Sequence, residues 1–197
     1  MLRKNLTGLD IIKMKEKLLI VGAGGFGRVT LEHAIKQYDC SFVDDGKPIG
    51  EDINGIKVVG GVEDLISLFA EYKKIVLSIG NNAIREKVYK QAKEIGFDFP
   101  NIICKSAYIS PFATVGEGCV VLNNVVVQNG SKVGNATILN PGVEVHHDSS
   151  VGSFCCIYTN SVVRTYAKVE DGVKLGSNVT IKNESIVNKD IDDGEVV

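Results

Sequence analysis

The sequence has no tryptophan, two methionines, four prolines and only three histidines among its 197 residues. Neither sign of charge is in excess: 22 Lys and Arg stand against 24 Asp and Glu, a formal net charge of −2, and no basic run appears. That balance excludes the electrostatic footprint of a nucleic-acid binder. Long hydrophobic runs are missing too. The longest near the start, "LLIVGAGG", is too short to span a bilayer and carries no signal-peptide cleavage pattern. The five cysteines lack metal-type spacing, and an odd number fits reduced thiols better than a disulfide framework, so a cytoplasmic location is expected. What is abundant is valine, isoleucine and glycine, the composition of extended structure with turns.

The chain reads as two halves with different periods. Residues 1–15 carry no pattern and form an expected N-terminal extension, with Met14 as an alternative start. Over 16–102, strand and helix signals alternate: "KLLIVGAGG", then "FGRVTLEHAIKQY", "CSFVDD", "IKVVGG", "VEDLISLFAEY", "KIVLSIG" and "NNAIREKVYKQAKEIG". Such alternation predicts a parallel sheet with crossover helices, here a small α/β domain resembling half of a doubly wound fold.

Over 103–197 the period becomes six. From Ile109 the chain reads "ISPFAT VGEGCV VLNNVV VQNGSK VGNATI LNPGVE VHHDSS VGSFCC IYTNSV VRTYAK VEDGVK LGSNVT IKNESI VNKDID", with Ile, Val or Leu opening every hexad and a small residue usually fifth. Hexapeptide repeats predict a parallel β-helix of triangular section, left-handed in this class against the usual crossover hand. Each hexad makes one flat side, so residues 18 apart stack about 4.8 Å apart along the axis. A run of ordinary sandwich strands does not explain an unbroken six-residue phase.

Three motifs carry chemistry. "GAGGFG" satisfies G-x-G-x-x-G between a strand and a helix, where glycines allow a tight turn and helix amides face a phosphate. Asp44 and Asp45 end the next strand, where an acid meets ribose hydroxyls; taken alone, this suggests NAD, or a glycine turn needed only for packing. The third is "VEVHHDSSVGSF", which places His146 and His147 side by side within the hexads. A histidine metal centre needs three convergent imidazoles. The third histidine, His33, lies on the first helix, and adjacent residues of an extended strand point to opposite sides, so no metal is expected. A histidine titrating near neutrality suits a general base instead. The bland alternative is a pair of histidines on a solvated prism edge.

The combination of "GAGGFGR", "FVDDG", "IGNNAIREKVY", "KSAYISPFATVGEG" and hexads containing "HHD" resembles the NeuD/PglD-like sugar acyltransferases, bacterial enzymes that acetylate nucleotide-linked amino sugars or sialic acids with acetyl-CoA. The likeness covers nearly the whole chain after residue 15 and looks closer to the UDP-4-amino-sugar N-acetyltransferases. It implies a homotrimer with sites between neighbouring prisms, no metal, no nucleic acid and no membrane insertion. It implies His147 as the base with Asp148 beside it. It redirects the glycine turn from NAD to a UDP-sugar, with Gly24, Gly25, Phe26, Asp44, Asp45 and Gly80 as substrate contacts and Asn140 near the acceptor. Cys156, Thr165 and Ser177 are the implied acetyl-CoA contacts, with the Thr165 backbone N–H, one coil after His147, meeting the thioester oxygen. Cys155 is expected to pack inside the prism. Phe26 and Cys156 stand where relatives often have histidine. The chain closes with "NESIVNKDIDDGEVV", without the extra coil and G-x-P-A-K-like segment usual in the family. The function implied is N-acetylation of a UDP-linked amino sugar in bacterial glycan synthesis. The alternatives are O-acetylation of a sialic-acid-like sugar, or a nucleotide-sugar-binding module that has lost turnover.

Overall fold

The computed structural model describes residues 15–197. Almost all of the expected N-terminal extension, with its alternative start at Met14, lies outside the described residues. The first half builds β1 (Glu16–Val21), α1 (Gly25–Ala34), β2 (Tyr38–Val43), β3 (Asp52–Ile53), β4 (Ile56–Gly60), α2 (Leu65–Leu68), β5 (Lys74–Leu77) and α3 (Asn82–Ile95). The sheet order is β3-β4-β2-β1-β5, parallel except for β3 against β4. The fully buried runs of β1 and β5 reflect a sheet covered on both faces.

Two details differ from the sequence reading. "VEDLISLFAEY" is one tight turn at Val62–Asp64 and one helical turn at Leu65–Leu68 in place of a single helix, with Leu65 and Tyr72 both in the core. The β3–β4 hairpin was not anticipated, although Asn54 and Gly55 at its tip, with φ of 53° and 82°, are the pair such a turn prefers.

The second half is a parallel β-helix of fifteen two-residue strands, from Ile102–Ile103 to Ile186–Val187. Every pairing is parallel and 18 residues apart, as Val127 to Val145 and Val145 to Val163. The strands form three faces of five. Face one runs from Ile102–Ile103 through Val120–Val121, Ile138–Leu139 and Cys156–Ile157 to Lys174–Leu175. Face two runs from Tyr108–Ile109 through Glu144–Val145 to Thr180–Ile181. Face three runs from Thr114–Val115 through Ser150–Val151 to Ile186–Val187.

The hexad phase explains the core. First-place residues from Val121 to Val187 all lie in one buried cluster, joined by fifth-place Cys119, Val125, Val143, Cys155, Ala167, Val173 and Val179. At Ser131, Thr137, Ser149 and Ser161 the polar fifth residue is buried and satisfied by a nearby carbonyl. Thr137 donates to Gly152 O at 2.7 Å, Ser149 to His146 O at 2.5 Å and Ser161 to Gly176 O at 2.6 Å. The fourth place carries a rule the sequence did not display: it is left-handed backbone in coil after coil, at Gly118, Asn124, Gly130, Ala136, Gly142, Asp148, Phe154, Asn160, Tyr166, Gly172, Asn178 and Glu184. This residue turns each corner.

The α/β domain sits on face one. Outward residues Ile102, Val120, Ile138 and Cys156 share a buried cluster with Leu18, Ile20 and Leu31.

Candidate active site

Asp148 occupies a fourth place, at φ 59°, which Asp tolerates better than most side chains. His147 therefore stands on the corner between faces two and three, not on an extended strand. Its Nδ1 lies 2.9 Å from Asp148 Oδ2, and its Nε2 lies 3.2 Å from Thr165 Oγ1, one coil away. A carboxylate accepts only, so the Nδ1–H donates to Asp148 and the basic lone pair stays on Nε2. The ring is held further by an edge-to-face contact with Tyr166, centroids 6.1 Å apart, and its backbone N–H donates to Gln128 Oε1 at 3.0 Å. His146 ends the strand on face two, and its Nε2 lies 3.0 Å from Glu144 Oε2. The two imidazoles thus point to separate carboxylates.

Thr165 was expected to offer its backbone N–H. That N–H has no protein acceptor among the described residues, while the Thr165 carbonyl accepts from Glu184. Ser177 is at the corner between faces one and two; its N–H is committed to Asp193 Oδ1 at 2.6 Å.

A second group gathers where the α/β domain meets face one. Phe26, Gly80, Asn140 and Cys156 line one cavity of about 160 Å³ together with Ile138 and Tyr158. Asn140 donates through Nδ2 to Ile157 O at 3.0 Å. Cys156 therefore lies on face one in the same cavity as Asn140, while Thr165 lies at the corner between faces two and three. Burial pushes its thiol up. Cys155, its neighbour, points into the prism as expected, and burial pushes it up to about 12.

The glycine turn separates by role. A Cβ at Gly27 would stand 1.8 Å from Gly22 O, and one at Gly22, with φ +100°, would stand 2.7 Å from Ser78 O. These two are glycine because helix and strand pack closely. At Gly24, Gly25 and Gly80 a Cβ would meet nothing within 4 Å, so packing does not require glycine there and the space lies open to a ligand. Asp44 braces the turn: Oδ2 accepts from Ala23 N at 2.7 Å and Oδ1 from Gly46 N at 2.9 Å. Asp45 Oδ1 accepts from Val62 N at 2.7 Å. Both also edge a cleft of about 480 Å³ at the carboxyl ends of the parallel strands, with Ile79, Ile84, Lys87 and Gln91 opposite. Ligands of open α/β sheets bind in that place.

The sequence reading missed Gln128, Tyr166, Tyr158, Lys87 and Gln91. The first two were reachable by the stacking rule, since 128 and 166 lie 19 residues before and after His147. The structure divides the candidate residues between two edges of the prism. The His147 corner and the Asn140 corner are separated by one flat side, on the order of 15 Å.

Two family models match the chain: the PglD N-terminal domain over residues 17–92 and the GMPPB C-terminal domain over residues 98–191. Among solved structures, the acetyltransferase domain of PglB from Neisseria gonorrhoeae is 29% identical with a TM-score of 0.87, over 93% of this chain and 91% of that one. The same domain in complex with acetyl coenzyme A is matched at 32% identity and a TM-score of 0.74, over 93% and 96%. The GDP-perosamine N-acetyltransferase from Caulobacter crescentus, in complex with CoA and GDP-perosamine, shares the fold at 24% identity and a TM-score of 0.62, over 91% and 92%. An uncharacterized protein of Acanthamoeba polyphaga mimivirus is 24% identical over 132 residues, 66% of this chain, and the chain spans 26% of that protein's length.

Proposed function

The chain belongs to the NeuD/PglD-like sugar acyltransferases, and on that premise we propose that it moves an acetyl group from acetyl-CoA to the amino group of a UDP-linked amino sugar, in bacterial glycan synthesis, with His147 as general base. The observation that carries this reading is the His147 corner, where Asp148 takes Nδ1 and leaves the lone pair of Nε2 for chemistry. The amine attacks the thioester carbonyl, and Nε2 accepts the proton the amine loses. The Thr165 hydroxyl now at Nε2 marks the place the amine takes. The free Thr165 N–H is available to the oxyanion that forms as the carbonyl is attacked. The thiolate of CoA leaves and takes up the proton from the imidazolium.

The nucleotide fits the strand-end cleft edged by Asp44 and Asp45, with its phosphates over Gly24 and Gly25 and the sugar reaching past Gly80 toward Asn140. The uridine base is carried by the family resemblance alone. In one copy that pocket and His147 lie on different prism edges, which favours a homotrimer in which His147 of one copy meets the pocket of the next. Tyr108, Phe112, Tyr166 and Ile186, all more than half exposed beside that corner, give the contact an apolar surface. The division of labour between 16–102, holding the nucleotide, and 103–197, holding the base and the donor, belongs to the same proposal. No described helix is long and apolar enough to cross a membrane; a cytoplasmic location follows from the proposed substrates.

The test is mass spectrometry of UDP- and GDP-linked amino sugars after incubation with acetyl-CoA. The expected product is a singly acetylated UDP-sugar that resists hydroxylamine, as an amide does. A hydroxylamine-labile product would make the enzyme an O-acetyltransferase. Tight binding of the sugar nucleotide without any product would leave a binding module.

A further inference from the structure

Arg85 on α3 is fully buried, and its guanidinium meets no carboxylate among the described residues. Buried cations are ordinarily paired with an acid. Here oxygens of neutral groups replace it. Nε donates to Ala136 O at 2.9 Å, one terminal nitrogen donates to Ile79 O at 2.6 Å, and the other donates to Asn82 Oδ1, Phe154 O and Cys155 O at 2.9, 2.7 and 3.0 Å. Asn82 in turn donates to Gly172 O at 2.8 Å. Ala136, Phe154 and Gly172 are the fourth-place residues of three successive coils on one corner, all with positive φ. Of the four residues with positive φ on that corner, Gly118, Ala136, Phe154 and Gly172, Arg85 takes the carbonyls of the two that are not glycine.

The rest of α3 continues along the same corner. Tyr89 bonds Glu117, and Lys93 donates to Glu117 at 2.5 Å, one coil below Ala136. From Asn82 to Lys93 the helix advances about 16 Å at 1.5 Å per residue. From the Gly172 coil to the Glu117 coil is three rises, about 14 Å. The helix and the prism corner therefore run side by side with matched spacing.

Arg85 does one more thing. Through Ile79 O it grips the residue before Gly80, which forms one wall of the acceptor cavity; through Ala136, Phe154 and Cys155 it grips the prism that supplies Asn140, Cys156 and Tyr158 on the other wall. We propose that Arg85 is a positioning residue for the acceptor: its planar fork sets the separation between the Gly80 loop and face one, and so admits the sugar in one register. This rests on the acetyl-transfer reading above. The His147 corner lies on another prism edge, so the donor does not depend on Arg85.

The test compares Arg85→Lys, which keeps the charge but cannot bridge both walls, with Asn82→Ala, which removes the outer bond. Acceptor and acetyl-CoA KM values are measured together with the thermal midpoint and hydrogen exchange over residues 78–84. Arg85→Lys should raise the acceptor KM tenfold or more, leave the acetyl-CoA KM within twofold, and speed exchange at 78–84 while the prism strands stay protected. Asn82→Ala should move the same readings less. An unchanged acceptor KM overturns the proposal. So does a parallel rise of both KM values with protection lost throughout, which is what a purely structural arginine would give. If Arg85→Lys does not fold, Asn82→Ala is read by the same criteria. If the wild-type protein transfers to no acceptor, the functional reading fails on its own. Calorimetry with UDP-N-acetylglucosamine then decides the role of Arg85, since weaker binding to the variant supports positioning and equal binding overturns it.

Discussion

Asp148 accepts from one side of His147, and Gly130 stands behind Asp148. A Cβ at Gly130, where φ is +71°, would lie 2.4 Å from Asp148 Oδ1. Gly130→Ala should therefore cost about 1–2 kcal/mol of stability for its left-handed backbone. It should also lower kcat about as much as Asp148→Asn, roughly tenfold to a hundredfold, by pushing the carboxylate off Nδ1; steady-state kinetics and thermal melts of both variants check this. The cysteines give a pH prediction. Burial pushes Cys119 up to about 11 and Cys155 to about 12, from an ordinary value of 9.0. Their folded pKa values are raised, so the unfolded chain binds fewer protons between pH 9 and 12 and stability falls as pH rises through that window. Denaturant midpoints should be flat from pH 7 to 8.5 and drop by pH 10.5, and Cys155→Ser should show a shallower drop. Residue-scale function was partly legible in the sequence. The family motif singled out His147, and the 18-residue stacking set Thr165 one coil above it, where the structure has the two side chains 3.2 Å apart. The same stacking was not extended to Gln128 and Tyr166. Arg85 was invisible for a physical reason: a charged residue on an amphipathic helix reads as solvated, and only the approach of the prism carbonyls shows otherwise.

The repeating element of this chain is the coil, and its corners are where sequence and structure part. First-place valines and isoleucines predicted the core without exception from Val121 onward. The left-handed fourth place escaped notice because Gly and Asn share it with Asp, Ala, Phe, Tyr and Glu, so no single residue type marks it. The fold imposes the conformation and each non-glycine side chain bears some strain. Glu184, exposed at φ 63°, is the cleanest case. Glu184→Gly relieves about 1–2 kcal/mol of left-handed strain and loses about 0.4–1 kcal/mol through the more flexible unfolded chain. It should be slightly stabilising, by about 0.5–1 kcal/mol on balance. Calorimetric melting of the single variant checks the sign. The hairpin at Asn54–Gly55 carries the opposite lesson: its signal was present in the sequence, but strand–helix alternation drew attention to the parallel units around it.

In the whole molecule the cleft proposed for the nucleotide, the cavity proposed for the acceptor and the His147 corner occupy three places on one copy. The proposed trimer would bring them together between copies, and complementation tests it. His147→Ala removes the base; Gly80→Leu fills the open space beside the cavity. Each variant alone should be inactive, while coexpressed mixed trimers should recover a measurable fraction of activity, because some sites draw an intact corner and an intact pocket from different copies. No recovery would mean that each copy works alone. The most direct measurement on the central claim is the rate of CoA thiol release from acetyl-CoA with a UDP-amino sugar, compared across wild type, His147→Ala and His146→Ala. If Nε2 of His147 takes the proton of the attacking amine, His147→Ala falls about 10²–10⁴-fold in kcat, with acceptor binding little changed. His146→Ala, whose ring is turned to Glu144 on face two, then stays within a few-fold of wild type. A severe His146→Ala with a mild His147→Ala would contradict the account at its centre.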